Sequence, residues 1–300
     1  RRTIQKEINQ MVDQIDDNAL ATYNGKYLVD GSRNAKGTAT CTTLTNTALS
    51  TAAAWGSGLT SLQSRTNESL NIQSTDNITV SYVRQGKTYT TTFQVGSTNK
   101  LSDILAKTAY NGTESYVGTD LMGATSNKAL IGYDKAGNSV FTADNQTALS
   151  IGAAGRGTTY QISSFTISIT DNAGVVRKTA NTSLDAFGER IRAENESEDN
   201  ALVLQTGVKA NQAIKVSMTD MRSLALGLKG TDGSVLSVQT QDKANAAINT
   251  LDTALQKALD EQANIGAIQS RLNYTSSNLT TASENVQNSE STIRDADMAK

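Results

Sequence analysis

The chain has 300 residues, a net charge of −2, 37% hydrophobic and only 5% aromatic residues, and it contains neither histidine nor proline. The lack of histidine removes the commonest metal ligand and the usual general base, which argues against a hydrolase or a zinc site. The near-neutral charge gives no reason to expect nucleic acid, and no apolar run is long enough to span a bilayer. Cys41 is the lone cysteine, so an internal disulfide is excluded.

The first 32 residues predict an amphipathic helix that ends in a turn. Ile4, Ile8 and Ile15 recur at helical spacing, with Met11 or Val12 between them and Ala19 after them. Asn24-Gly25 is a turn or helix-end signal, and it is followed by a short apolar run before Asp30-Gly31.

The last 50 residues predict a much longer helix. One heptad position is apolar throughout: Leu251, Ala258, Ile265, Leu272, Leu279, Val286 and Ile293. The position three residues later is mostly small: Ala254, Glu261, Ile268, Thr275, Ala282, Ser289 and Ala296. A stripe sustained for so many heptads favours a rod, with an ordinary amphipathic helix on a globular core as the alternative.

Neither stripe can bury itself, so we expect residues 1–22 and 244–297 to pack as antiparallel helices of one rod. The predicted packing seam comprises Ile4, Ile8, Ile15, Ile268, Leu272, Leu279, Val286 and Ile293. The chain begins and stops in mid-pattern without capping residues, which predicts that both helices continue in a longer parent protein.

Residues 33–200 change from helical to strand periodicity. The segment from Ile78 to Tyr82 alternates, Gln85-Gly86 marks a turn, and a return strand runs through Phe93 to a short helix with a serine cap. Residues 165–169 repeat this pattern, followed by an Asn-Ala-Gly turn, a strand and a helix from about Leu184. The similarity indicates either a duplicated ββα unit or a coincidence among short β-rich segments.

The fold class is therefore predicted as α+β: a coiled-coil-like helical rod from both chain ends with an inserted β-rich domain of ββα-like units. We divide the chain into residues 1–32 (N-terminal rod part), 33–200 (inserted domain, as one or two subdomains) and 201–300. The last part contains a strand pair, Leu202–Gln205 and Ala213–Met218, a short helical piece and the long helix.

Motifs of enzyme chemistry are weak. The glycine-rich stretch GAAGRGTTY lacks a Gly-Lys-Ser/Thr ending, and DKAGNS lacks the ligand ladder of a calcium loop, so both are better explained as turns. Cys41 and Trp55 are most simply packing residues. We predict no catalytic residue, no metal ligand and no cofactor, and hence no enzyme.

Both flanks resemble bacterial flagellin. The similarity is carried by IQKEINQMVDQIDDNALATYNGKYLVDGS, by LQTGVKANQAIKVSMTDMRSLALG, and by the segment that contains GAIQSRL and ends in RDADMAK. Two features differ from the family pattern: Cys41 is unusual, and the β-rich insertion precedes Leu204-Gln205 instead of following it.

The resemblance implies a secreted, extracellular structural subunit of the bacterial flagellar filament, acting in motility. Its partners would be other flagellin subunits, with no nucleic acid and no membrane, and the family's terminal helices needed for polymerisation would be missing here. The alternative is a coiled-coil surface adhesin with a β-rich head; a cryptic hydrolase is remote without histidine.

The resemblance also implies recognition by the innate immune receptor Toll-like receptor 5 through the side of the rod. Family positions transfer to Glu7, Leu251, Ile265 and Arg271 as receptor contacts. The family's main receptor-binding stretch lies on a preceding helix that this sequence does not contain, so binding is expected to be weak at best.

Overall fold

The computed structural model describes residues 1–107, 121–123, 129–207 and 211–298. The short helix is predicted in the segment LSDILAKTAY, and its last three residues, 108–110, lie outside this part. The same holds for residues 124–128, which belong to a segment whose composition predicts turns and further strands. Helices and sheets are both present, which confirms the α+β class. No helix in the described ranges combines the length and the apolar character needed to cross a membrane.

The helices, in chain order, are α1 (Arg2–Ala19), α2 (Leu101–Lys107), α3 (Lys178–Leu184), α4 (Ser223–Leu226) and α5 (Gln241–Met298). The long predicted helix is thus present as one continuous element of 58 residues. Asp103, rather than the predicted serine, caps α2, since its carboxylate accepts the Lys100 amide at 2.9 Å.

The strands are β1 (Thr22–Tyr23), β2 (Lys26–Tyr27), β3 (Thr43–Asn46), β4 (Asn77–Arg84), β5 (Lys87–Gln94), β6 (Leu121–Gly123), β7 (Leu130–Tyr133), β8 (Ser139–Phe141), β9 (Leu149–Ala153), β10 (Ile162–Thr170), β11 (Phe187–Ile191), β12 (Leu202–Gln205) and β13 (Ala213–Val216). They form a three-stranded antiparallel sheet, β10-β4-β5, and a four-stranded antiparallel sheet, β11-β3-β9-β6. The pairs β1-β2, β7-β8 and β12-β13 are hairpins.

Several local predictions are confirmed. Asn24-Gly25 and Gln85-Gly86 turn with positive φ at both residues, the geometry that two-residue hairpins favour, and join β1 to β2 and β4 to β5. The predicted strand pair forms the hairpin β12-β13. Cys41 and Trp55 are partly buried against the larger core.

The alternating segments of β4 and β10 pair with each other. Ile167 lies opposite Val80, and the apolar side chains of both strands fill a core that spans both sheets. The hydroxyl residues alternate with them on the other face, where Ser164 lies opposite Val83. That face is covered by the first half of α5.

The second of the two predicted ββα units is wrong. After β10 the predicted return strand is reduced to a single β-bridge between Thr170 and Val176. The helix predicted to begin at about Leu184 ends there instead. Phe187–Ile191 is then a strand of the other sheet. The first unit, β4-β5-α2, has the predicted elements.

A smaller core joins the two ends of the chain to the sheet. Val12, Val83, Leu226, Leu228, Leu236, Ala246, Ala247 and Ala254 form one buried cluster, with Ile8 and Ile15 packed against it. The middle of the chain therefore shares a core with both flanks, while the three-part domain division stays a prediction.

The predicted antiparallel arrangement of the two end helices is wrong. Near the beginning of α1, Gln5 bonds the backbone of Leu236 and Val238, just before α5 begins. Near its end, Asp16 accepts hydrogen bonds from the backbone and the hydroxyl of Ser223 at 2.8 and 2.7 Å.

The segment after α4 therefore runs back along α1, and α5 starts at the end where α1 starts. Farther along, Glu261 of α5 accepts a hydrogen bond from Thr219 at 2.8 Å, close to the end of α1. The two helices run in the same direction, because the return segment, which sequence periodicity did not reveal, reverses the chain between them.

Candidate functional site

The first half of α5 has two different faces. Its buried residues are Ala246, Ala247, Thr250, Ala254, Lys257 and Glu261, at helical spacing on one side. This side contacts β10, β4, β5 and α4.

A second side of the same half is apolar and exposed. Ile248, Leu251, Leu255 and Leu259 follow each other at intervals of three and four residues, and each is between 42% and 58% exposed. We call these four residues the outer stripe. At about 100° per residue, the outer stripe lies roughly 130° around the helix from the buried face, so the sheet cannot cover it.

Helix α1 adds exposed apolar side chains. Ile4 and Met11 are both more than half exposed, whereas Val12, about 100° around the helix from Met11, is buried. Both helices thus bury one face within the chain and leave a second apolar face in contact with solvent.

The predicted packing seam is only partly covered within one chain. Ile8 and Ile15 pack against the smaller core, and Ile268 and Leu272 are half-buried. Ile4, Leu279, Val286 and Ile293 are exposed, the last two by 68% and 74%. A straight α-helix drifts by about 20° per heptad relative to a seven-residue repeat, so the predicted positions do not stay on one face.

The predicted receptor contacts are all accessible. Glu7 lies exposed on α1, and Leu251, Ile265 and Arg271 are exposed on α5. Leu251 also belongs to the outer stripe.

One pocket beside the first half of α5 is lined by charged residues, several of which form ion pairs. It measures about 270 Å³ and is lined, among others, by Arg192, Arg222, Lys257, Asp220 and Glu194. Burial lowers the pKa of Lys257, and burial raises the pKa of its neighbour Glu189. Arg222 forms an ion pair with Asp220 at 2.7 Å.

Lys257 and Arg222 in this pocket thus both have carboxylate partners. Among the described residues there is no group of three or more acidic or cysteine side chains placed to hold a metal ion. The outer stripe, in contrast, is an apolar surface of the kind that a second apolar surface can cover.

The outer stripe could have been found in the sequence, because its spacing of three, four and four residues is a plain helical signal. The heptad pattern selected Leu251 and missed Ile248, Leu255 and Leu259. The buried positions of Lys257 and Glu261 had no such signal, since charged residues are expected on the solvated face.

Comparison with known protein families gives a match in the region that contains the outer stripe. Residues 248–300 match the family model of the bacterial flagellin C-terminal helical region. The flagellin FlaB1 of Treponema pallidum (strain Nichols) is 41% identical over 95 residues, which are 31% of this chain and 33% of that protein.

Two further relatives have similar values. The flagellar filament 33 kDa core protein of Treponema phagedenis is 42% identical over 95 residues, 31% of this chain and 33% of that protein. The flagellin of Bacillus subtilis (strain 168) is 39% identical over 116 residues, 33% of this chain and 38% of that protein. The matched part spans about a third of the length of these relatives.

Proposed function

We propose that this chain, whose C-terminal helical region is similar to that of bacterial flagellins, is a structural subunit of the flagellar filament. Flagellins are a structural family and are not known as enzymes. The observation that carries the proposal is that the outer stripe lies within the matched region and is uncovered in the single chain.

A second helix that packs on α5 can bury the exposed apolar side chains of the outer stripe. Side chains spaced by three and four residues form ridges that fit the grooves of a second helix. Burial gains about 25 cal/mol for each Å² of apolar surface removed from water. Other flagellin subunits are the proposed partners, and the proposed location is the extracellular filament.

The exposed, polar character of the far half of α5 fits the same function. From residue 281 to residue 296 every residue of the helix is exposed, so no contact within the described chain stabilises this part from the side. Most helical stability in proteins comes from packing of an apolar face, which here leaves Val286 and Ile293 for an assembly partner. No observation favours the adhesin alternative.

Charge insertion into the outer stripe tests this proposal. We expect Leu255→Glu, introduced into the chromosomal gene that encodes this sequence in the source bacterium, to abolish filaments in electron micrographs and swimming in soft agar. The matched control is Asn245→Glu, which adds the same charge at an exposed polar position of the same helix half. Filaments of normal length from Leu255→Glu would contradict a role of the stripe in assembly.

We further propose that Toll-like receptor 5 binds the exposed side of α1 and α5 through Glu7, Leu251, Ile265 and Arg271. An exposed glutamate and arginine near apolar side chains can form charge-assisted bonds around a dry centre. Their accessibility supports the proposal without identifying the receptor.

Titration of the chain against the receptor ectodomain tests this second proposal. We expect weak binding that is lost in Arg271→Ala and kept in Glu284→Ala, an exposed charge farther along α5. Equal loss in both variants, or binding that neither variant changes, would contradict the assigned contacts.

A further inference from the structure

The contact between α5 and the three-stranded sheet is made of small and hydroxyl side chains. The Ser164 hydroxyl donates to the Ala246 carbonyl at 3.1 Å and lies 3.1 Å from the Thr250 hydroxyl. Ala246, Thr250 and Ala254 follow at intervals of four residues, about one helical turn. All three are buried.

Because these side chains are small and project little, the contact offers little steric resistance to movement of α5 along its own axis. Moving α5 along its axis by one turn, about 5.4 Å, would replace Thr250 opposite Ser164 by Ala246 or Ala254. Threonine exceeds alanine by a methyl group and a hydroxyl, so this contact favours the observed register through one small group and the hydrogen bond between Thr250 and Ser164. A contact between charged groups would specify the register more strongly.

A buried charged cluster lies one turn beyond this contact. The Lys257 ammonium is 3.5 Å from the Glu189 carboxylate of β11, and both side chains are less than a tenth exposed. Gln161, with its amide oriented to satisfy both neighbours, also accepts from Lys257 while it donates to the Ala225 carbonyl at 3.0 Å.

Two further contacts surround this pair. Arg192 of the segment after β11 contacts Glu189 at 3.6 Å and forms an ion pair with Asp260. One turn beyond Lys257, Glu261 accepts the Thr219 hydroxyl at 2.8 Å and is itself buried.

The order of charges along α5 makes a one-turn shift costly in either direction. A shift toward the beginning of the helix brings Glu261 to the place of Lys257, so that two buried carboxylates face each other at Glu189. A shift the other way brings Thr253 there and leaves Glu189 with Arg192 alone. Buried charges without a suitable partner are strongly destabilising.

We propose that Lys257 and Glu261 fix the register of α5 on the sheets through Glu189 and Thr219 and thereby exclude the positions one helical turn away. We call the contacts of Lys257 and Glu261 with Glu189 and Thr219 the lock. The lock sets the position of the exposed face of α5 relative to the β-rich part of the chain. It does not depend on the proposed role in a filament.

Disulfide trapping measures the register directly. In a Cys41→Ser background, Ser164→Cys is combined with Thr250→Cys to report the observed register, or with Ala254→Cys to report the register shifted by one turn. We expect the otherwise native chain to cross-link only in the first combination.

Two changes to the lock should alter this result. The double substitution Lys257→Met with Glu189→Met removes both charges, a change that proteins usually tolerate in stability, and should allow both cross-links. Lys257→Thr with Glu261→Lys moves the lysine by one turn and should favour the Ala254→Cys cross-link, on the order of tenfold over the Thr250→Cys one, because a buried carboxylate needs its cation.

Lys257→Arg, which keeps the charge, and Arg294→Met, which breaks an exposed pair with Glu290 on the same helix, serve as controls. Both should cross-link only through Thr250→Cys. If the double methionine variant and the moved-lysine variant also cross-link only through Thr250→Cys, the register is set elsewhere and the proposal is wrong.

Discussion

Asp76 and Arg177, 101 residues apart in the chain, form a two-contact ion pair. The guanidinium approaches the two carboxylate oxygens at 2.5 and 2.8 Å. The Asp76 side chain is fully buried and also accepts the Gln73 amide at 2.8 Å. The pair fastens the loop before β4 to the beginning of α3 and so closes one side of the larger core.

We predict that Asp76→Ala lowers the free energy of unfolding by about 3–5 kcal/mol, because it removes one partner of a pair that is buried on the carboxylate side. Urea denaturation monitored by circular dichroism measures the change. The control is Asp199→Ala, whose pair with Lys215 is exposed on both sides, and which should change stability by less than about 1 kcal/mol. Similar losses in both variants would contradict the account.

Three leucines test the assignment of buried and exposed faces. Leu226→Ala, in the smaller core, should cost about 2–5 kcal/mol. Leu255→Ala, in the outer stripe of the isolated chain, should change stability by less than about 0.5 kcal/mol. Leu272 is half-buried and its alanine variant should fall between the two. A cost at Leu255 as large as that at Leu226 would show that the stripe is already covered within the chain.

Asp185 gives the chain a stability that depends on pH. Asp185 keeps exposed surface, but partial desolvation of its carboxyl raises the pKa from its ordinary 3.8 to about 6, while the hydrogen bond from the Ile167 backbone amide acts in the opposite direction. Solvent screening reduces the contribution of such a partly exposed group to stability. Since the folded pKa lies above the unfolded one, the protonated form is favoured by folding. The contribution is fully present below pH 3.8 and is lost as the pH rises through about 6.

We therefore predict that Asp185→Asn reduces the difference in unfolding free energy between pH 5 and pH 7, with the native chain gaining more stability than the variant on acidification. Parallel urea titrations at the two pH values check this. An unchanged pH dependence in Asp185→Asn would assign the effect to other groups.

Local features were predictable from the sequence, and long-range relationships were not. Turns such as Gln85-Gly86 and the hairpin β12-β13 depend on neighbouring residues, so their signals are complete within a few positions. The pairing of β3 with β9 and β11 joins segments more than a hundred residues apart. The sequence of a short strand does not indicate which distant strand it pairs with.

The outer stripe, the proposed assembly surface, was predictable only in part for a related reason. A regular heptad pattern predicts that α5 is long. Which face of α5 is buried depends on the strands and helices that pack against it. The sheet covers Ala246 and Thr250, which look unremarkable in sequence, and leaves Leu255 and Leu259 exposed. The burial of Lys257 was not predictable, because the sequence around a buried lysine does not differ from that around a solvated one. Only the fold shows that Glu189 lies next to it.

The central claim, that this chain is a subunit of a flagellar filament, is tested most directly by the protein content of the filaments themselves. Filaments sheared from the source bacterium and purified by sedimentation would be digested and examined by mass spectrometry. We predict that peptides from both the β-rich segment and α5 are among the most abundant in the filament fraction. Absence of these peptides from the filaments, together with their presence in the washed cell-surface fraction, would contradict the account.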